Sequence, residues 1–234
     1  MSSIKEQLAE EVKRTFSAQW TVAKTESIPS PENLLLNSND AKELEATVLY
    51  ADLDGSTNMV DNYDWTFSAE IYKNYLRCAS QILRHGGGTI TAYDGDRVMA
   101  IFTGPRKNTE AVRCALKINS AVHDIIRPAV AVQYPGKNFT VKHSVGVDTS
   151  TLRAARIGVH GDNDIVWVGR AANYAAKLTA IGGPNGPLWI TADVYNMMTD
   201  EVKLSSGNNM WTQYRWKTMS DIPVYGSNFL WRTY

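Results

Sequence analysis

An α+β fold is predicted for this 234-residue chain by three observations. Strand-like and helix-like segments follow one another in a recognisable order, an Asp-Gly turn separates two β-prone runs, and there is enough apolar material for one buried core. Hydrophobic residues make up 44% and charged residues 21%, with seven Trp and eleven Tyr, which is the composition of a folded domain rather than a disordered one. Positive and negative side chains cancel to zero net charge. No global field therefore draws the chain to nucleic acid or to an anionic membrane, neither is expected as a partner, and any phosphate site must be local.

Taken in order, residues 3–18 place Ile4, Leu8, Val12 and Phe16 on one stripe and read as an amphipathic helix. Residues 25–39, with two prolines among Asn and Ser, read as an extended linker, so 1–40 form a helix and linker and 41–234 the main domain. Thr47–Leu53 is an apolar strand. Thr66–His85 is a helix with Phe67, Ile71, Tyr75, Ala79 and Ile82 on one face and Gly86 as its stop. Thr89–Tyr93 and Arg97–Phe102 form a hairpin around Asp94-Gly95, because Gly takes a positive φ without steric cost. A helix follows near Thr109–Ile126, with Ala111, Ala115, Ile118 and Val122 inward. Strands at Lys142–Asp148 and Asp164–Val168, a short helix at Arg170–Ala180, and a strand, a short helix and two late strands from Leu188 complete the chain. Strand, helix, strand, strand, helix, strand is the ferredoxin-like βαββαβ plan, an antiparallel sheet with helices on one face, here with extra strands. The plan by itself implies no function.

Several function classes drop out. No run approaches the roughly 20 apolar residues that span a bilayer, and the N-terminus lacks the apolar core of a secretory signal, so a cytoplasmic location is expected. Cys78 and Cys114 fall on apolar helix faces and read as buried free thiols. His85, His123, His143 and His160 have no zinc-ligand spacing. Trp211, Trp216 and Trp231 sit in strand-like settings without accompanying positive charge and read as core rather than as a stacking platform for nucleic acid.

Two acidic positions stand out. Asp52 lies inside an apolar strand and Asp96 directly after the hairpin turn, and a carboxylate in such a strand is costly to bury unless a cation or hydrogen bonds compensate it. Two carboxylates plus triphosphate oxygens are a common way to hold Mg²⁺ or Mn²⁺. Gly55-Ser56-Thr57, opening toward a helix, offers backbone N–H groups to phosphate. The plainer alternative is that Asp52 and Asp54 cap a turn and Asp96 ends a hairpin.

Four segments carry a family resemblance. Tyr50–Thr57 (YADLDGST) resembles the FADIxGFT segment of class III adenylate and guanylate cyclase domains. Asp94-Gly95-Asp96 with Val98-Met99-Ala100 resembles their GDxxMA hairpin, Ser144–Val147 their RIGIH strand, and Val168–Leu178 their WGDTVNxAARL segment. They stand in the family's order over about Thr47 to Tyr195. The resemblance implies a class III nucleotidyl cyclase catalytic domain. It implies Asp52, Asp96 and the Leu53 backbone carbonyl as ligands of two Mg²⁺ or Mn²⁺ ions per site, and Asn173 and Lys177 as the pair that orients the ribose and stabilises the transition state. Lys177 departs from the family's Arg, keeping the charge and losing the bidentate fork. The family's late phosphate-binding Lys falls in a poorly matching region, where Arg215 and Lys217 are candidates. Class III sites form between two protomers, so a chain carrying both halves implies a homodimer with its sites at the interface.

At the two base-reading positions the chain has Ala92 and Arg170, which match neither the adenine nor the guanine pattern of the family. Tyr50 stands where a smaller reader or Phe is usual, and Tyr93 and Arg97 flank the hairpin; such bulk shrinks a pocket toward a pyrimidine. In this the chain resembles the stand-alone pyrimidine cyclases of bacterial Pycsar antiphage defence, whose cyclic UMP or cyclic CMP is read by a separate effector. Arg is donor-only, so Arg97 or Arg170 facing the 4-position of the base favours uracil over cytosine. UTP is the expected substrate. CTP, a purine triphosphate, or a catalytically dead cyclase-like module are the alternatives, as is the possibility that both arginines bind phosphate or a structural carboxylate.

Overall fold

The structure, a computed structural model, describes residues 3–182 and 186–233. The apolar Thr47–Leu53 run is the C-terminal half of a 15-residue strand, β2 (Asp40–Asp54), preceded by α1 (Ile4–Ser17) and β1 (Thr21–Lys24). A short helix, α2 (Ser56–Asn62), leads into α3 (Trp65–His85), the hairpin β3 (Thr89–Asp94) and β4 (Arg97–Phe102), and then α4 (Lys107–Ala121). A π-helical turn at Val122–Ile126 joins α4 to α5 (Arg127–Gln133), whose first turn holds Pro128. The second half comprises β5 (Lys142–Val159), β6 (Asp162–Val168), α6 (Arg170–Leu178), β7 (Leu188–Thr191) and α7 (Ala192–Met197). A small hairpin of β8 (Leu204–Ser205) and β9 (Asn208–Asn209) and the pair β10 (Thr212–Trp216) and β11 (Ile222–Ser227) follow.

Strands β5, β2, β4 and β3 lie side by side, each antiparallel to the next, which is the expected βαββαβ core. The complete sheet differs from the expected one in two respects. It is mixed, because β7 joins β5 in parallel and β1 joins β2 in parallel. Helices also cover both faces. Leu49, Ala51 and Leu53 of β2 pack with Phe67, Ile71 and Tyr75 of α3 and Ala111, Ala115 and Ile118 of α4. Leu44, Ala46 and Val48 point the other way, onto Ala171 and Ala175 of α6. That second helix approaches so closely that a Cβ at Gly146 of β5 would stand 2.1 Å from the Ala175 carbonyl oxygen and 2.7 Å from the Leu178 Cβ. Glycine at 146 is thus what seats α6 on the sheet.

Helix α1 starts with a Ser3–Glu6 capping box. Its apolar stripe is turned outward, from Leu8 at 53% exposed to Phe16 at 88%. The Asn39 amide donates to the Thr15 and Ala18 carbonyls and so fixes the helix end against the start of β2. Among the described residues no helix is long and apolar enough to cross a membrane. Cys114, Trp211 and Trp216 are buried and Trp231 packs against the core.

Candidate active site

Cross-strand register decides which side chains share the face beneath α6. Tyr50 stands opposite Met99, and Met99 opposite Ala92, which makes one row across β2, β4 and β3. In the next row Asp52 stands opposite Arg97, and Arg97 opposite Asp94. Direct partners point to one face of a sheet, and Tyr50, Ala92 and Met99 do pack together there. Tyr50, Asp52, Ala92 and Arg97 are therefore brought together at the end of the sheet where the hairpin turns. Tyr93 is not. Its neighbours in the strand alternate to the opposite face, and its hydroxyl meets Ser80 of α3 at 2.9 Å.

Asp96 occupies the two-residue turn between β3 and β4, next to the Asp52–Arg97 pair. The two carboxyls feel each other. Burial first and the Asp96 charge second push Asp52 up to about 6, against smaller opposing effects of Arg97 and of a hydrogen bond from Thr179. The Asp96 Oδ2 is shut off from solvent with no hydrogen-bond partner among the described residues. A half-buried carboxyl and an orphaned carboxylate oxygen side by side leave negative charge uncompensated, and they fit a divalent cation. Among the described residues no group of three or more His, Cys, Asp and Glu forms an all-protein cage. The Leu53 side chain is in the core, which leaves only its backbone to the site. Gly55, at φ +76°, turns the chain from β2 into α2, whose first residues are Ser56 and Thr57.

Arg97 is bound to the exposed Asp94 at 2.5 Å and lies 5.9 Å from the Tyr50 ring centroid. Arg170 is more deeply engaged. Its guanidinium donates to the fully buried Asp148 at 3.0 and 3.2 Å, to the Thr149 carbonyl at 2.8 Å and to Asp193 at 2.5 Å. Most of its donors are spent within the chain on partly or fully buried acceptors, whereas Arg97 is tied to a single exposed carboxylate.

Asn173 and Lys177 lie one turn apart on the exposed side of α6. Lys177 lines a cavity of about 660 Å³ together with Arg215, Lys217, Tyr214, Trp216 and Trp189. The chain thus gathers three cations at a local site despite its zero net charge. None of Tyr50, Asp52, Asp96 or Arg97 lines that cavity. The carboxylates stand at the β2–β4 end of the sheet and the cations line a cavity beside α6.

A uridylate cyclase from Burkholderia cepacia is 58% identical to this chain over 229 residues, 96% of this chain and 98% of that protein. The chain belongs to the uridylate cyclase family. Further uridylate cyclases from Xanthomonas perforans and from Rhodovulum sp. are 47% and 34% identical, each over 98% of both chains. No protein-family model matches the chain. Among solved structures the adenylyl cyclase CyaB from P. aeruginosa superposes with a TM-score of 0.68 at 20% identity, over 82% of this chain and 97% of its own. The guanylyl cyclase Cya2 does so at 0.66 and 16%, over 82% and 95%. These likenesses show that the fold is that of class III cyclase catalytic domains.

Three residues of this uridylate cyclase family member belong to the site's surroundings and escaped the sequence reading. The Thr179 hydroxyl, just past α6, stands 3.5 Å from the Asp52 Oδ2. The Tyr75 hydroxyl donates to the Asp52 backbone carbonyl at 3.1 Å. Asp148 holds Arg170 and accepts from Thr191 at 2.6 Å. Each contact joins elements at least 22 residues apart, so no local pattern could announce it.

Proposed function

We propose that this chain is a uridylate cyclase that closes UTP into 3′,5′-cyclic UMP and pyrophosphate. In this reading it is a cytoplasmic homodimer whose product is a second messenger read by a separate effector in antiphage defence. The observation that carries the reading is the Asp52–Asp96 pair with its orphaned oxygen, set beside Tyr50 and Arg97. High identity to named uridylate cyclases supports it independently.

Asp52, Asp96 and the Leu53 carbonyl are the groups that would hold Mg²⁺ or Mn²⁺, two ions per site. Such ions, when bound, supply positive charge against the triphosphate and make the ribose 3′-hydroxyl easier to deprotonate. The chain's own residues bind and orient. Backbone N–H groups at Gly55, Ser56 and Thr57 face the phosphates, and Tyr50 and Ala92 wall the base. Arg97 donates to the uracil 4-carbonyl; its present tie to Asp94 is exposed and so worth little, and it is easily re-aimed. Cytosine offers an amine there, and facing it with a donor leaves buried groups unpaired at about 1–3 kcal/mol.

Asn173 orients the ribose, and Lys177 with Arg215 and Lys217 balances the charge that develops on the phosphates. That the carboxylates do not line the cationic cavity of their own chain supports a twofold arrangement, in which the α6 face of one protomer completes the β2 face of its partner.

Incubation with each of the four ribonucleoside triphosphates and Mn²⁺, with mass identification of the product, tests the reading. Cyclic UMP as the main product is expected. Cyclic CMP as the main product would overturn the role given to Arg97, cyclic AMP or cyclic GMP the pyrimidine pocket, and absence of any cyclic product the catalytic reading.

A further inference from the structure

The carboxylate half-site sits at a weak point of the sheet. The pairing of β2 with β4 ends at Asp52, and beyond it β2 is held by β5 alone. Asp52 is nevertheless the residue whose direction matters most, since its side chain must meet that of Asp96. Behind it, on the α3 side, stands Tyr75, fully buried, with its hydroxyl on the Asp52 carbonyl at 3.1 Å. No other hydrogen bond is made by that hydroxyl among the described residues. The nearby His143, opposite Leu53 on β5, has both ring nitrogens without a partner and its ring centroid 6.1 Å from that of Tyr75. The hydroxyl is thus neither shared nor exchangeable with water.

We infer that Tyr75 is a positioning residue of the metal half-site, its buried hydroxyl fixing the peptide unit that follows Asp52 so that the Asp52 carboxylate and the Leu53 carbonyl face the same spot as Asp96. The inference rests on the reading of Asp52 and Asp96 as ligands. A packing role alone would be served as well by Phe, whereas a positioning role needs the hydroxyl. Groups that orient metal ligands in this way typically change metal affinity 10- to 100-fold when removed.

The test is Tyr75→Phe in the full-length protein, with Mn²⁺ binding followed by electron paramagnetic resonance in the presence of a non-cyclisable UTP analogue. Mn²⁺ binding is expected to weaken by about tenfold. The KM for Mn²⁺ in turnover should rise to match, while kcat at saturating Mn²⁺ stays within about twofold, the split expected when binding rather than chemistry is lost. Phe67→Leu, which trims the same buried face of α3 away from Asp52, serves as the packing control and should leave Mn²⁺ binding unchanged. Should Tyr75→Phe not fold, Tyr75→Met removes the hydroxyl with a more adaptable side chain.

Unchanged Mn²⁺ affinity in the hydroxyl-free variant, or an equal loss in Phe67→Leu, overturns the inference. Asp52→Ala separates it from the underlying reading. If that variant still binds Mn²⁺ and turns over, the metal site itself is misplaced; if it does neither while Tyr75→Phe behaves as wild type, only the role of Tyr75 falls.

Discussion

Asp52 and Arg97 are direct cross-strand partners, one on β2 and the other on β4. A residue read as binding metal and a residue read as choosing the base therefore share one rigid row of the sheet, with Tyr50 in the row beside them. The arrangement ties chemistry and selectivity to a single register, and a slip of one residue would turn both side chains to the α3 face.

Replacing Asp52 or Asp96 by Ala is expected to lower cyclic UMP formation by more than about 100-fold, since even partners that only orient metal ligands cost 10- to 100-fold. The fold should survive, because each change removes an uncompensated carboxylate and no packing. Product quantification beside circular dichroism checks both halves. Full activity in either variant would remove that residue from the metal half-site.

Arg97→Ala is expected to reduce the preference for UTP over CTP by roughly tenfold, the lower part of the range for losing one buried donor–acceptor match. The readout is the ratio of kcat/KM values for the two triphosphates. Arg170→Ala should behave differently. It strips the partner from the fully buried Asp148 while Arg170 itself is partly exposed, so a destabilisation of about 2–4 kcal/mol is expected with the UTP to CTP ratio little changed. Thermal or urea unfolding gives the first number. A large change in base preference with unaltered stability would return Arg170 to the base pocket.

His143 gives the fold a pH dependence of its own. Burial chiefly, with Arg127 adding, lowers its pKa to about 3 from the usual 6.5. A histidine depressed in the folded state stabilises the fold above its unfolded pKa, and that contribution is lost as pH falls from 6.5 toward 3. With the unfolded chain taking up a proton that the folded chain refuses, roughly 2 kcal/mol should disappear between pH 7.5 and 5. His143→Phe should flatten the curve of unfolding free energy against pH by that amount; an unchanged slope would mean that other groups govern acid sensitivity.

How far the sequence could carry the reader is shown by the same residues. Asp52 and Asp96 stand out in the sequence by an apolar strand and a hairpin turn, Tyr50 and Ala92 by the family resemblance, and the register places Tyr50, Asp52 and Ala92 on one face beside the turn that carries Asp96. Tyr93 lies one step off in the strand alternation: its bulk beside the hairpin suggests a pocket wall, yet its hydroxyl meets Ser80 of α3 on the other face. The βαββαβ core was legible from element order, whereas the parallel seating of β7 and the packing of α6 on the second face depend on contacts made late in the chain. Arg215 and Lys217 had no matching motif. Only the folding of β10 and the turn after it toward α6 joins them to Lys177. Tyr75 read as core, which it is, but its hydroxyl's reach across the helix–sheet interface has no signature in one dimension.

The proposed twofold arrangement leads to the most demanding prediction. On that proposal Asp52→Ala disables the carboxylate half of a chain and Lys177→Ala its cationic half, so each variant alone should form a dimer with two defective sites. In a mixed dimer both lesions fall in one site and leave the other intact, provided that β2 of one protomer works with α6 of its partner. Equal mixing with free exchange makes half of the dimers mixed, each with one of two sites restored, so recovery of about a quarter of wild-type activity is expected. Activity should grow with the time allowed for subunit exchange and should be absent when either variant is assayed alone. If the two half-sites instead cooperated within a single chain, both lesions would inactivate their own subunit and mixing would restore nothing, so the outcome separates the two geometries without any assumption about metal or base.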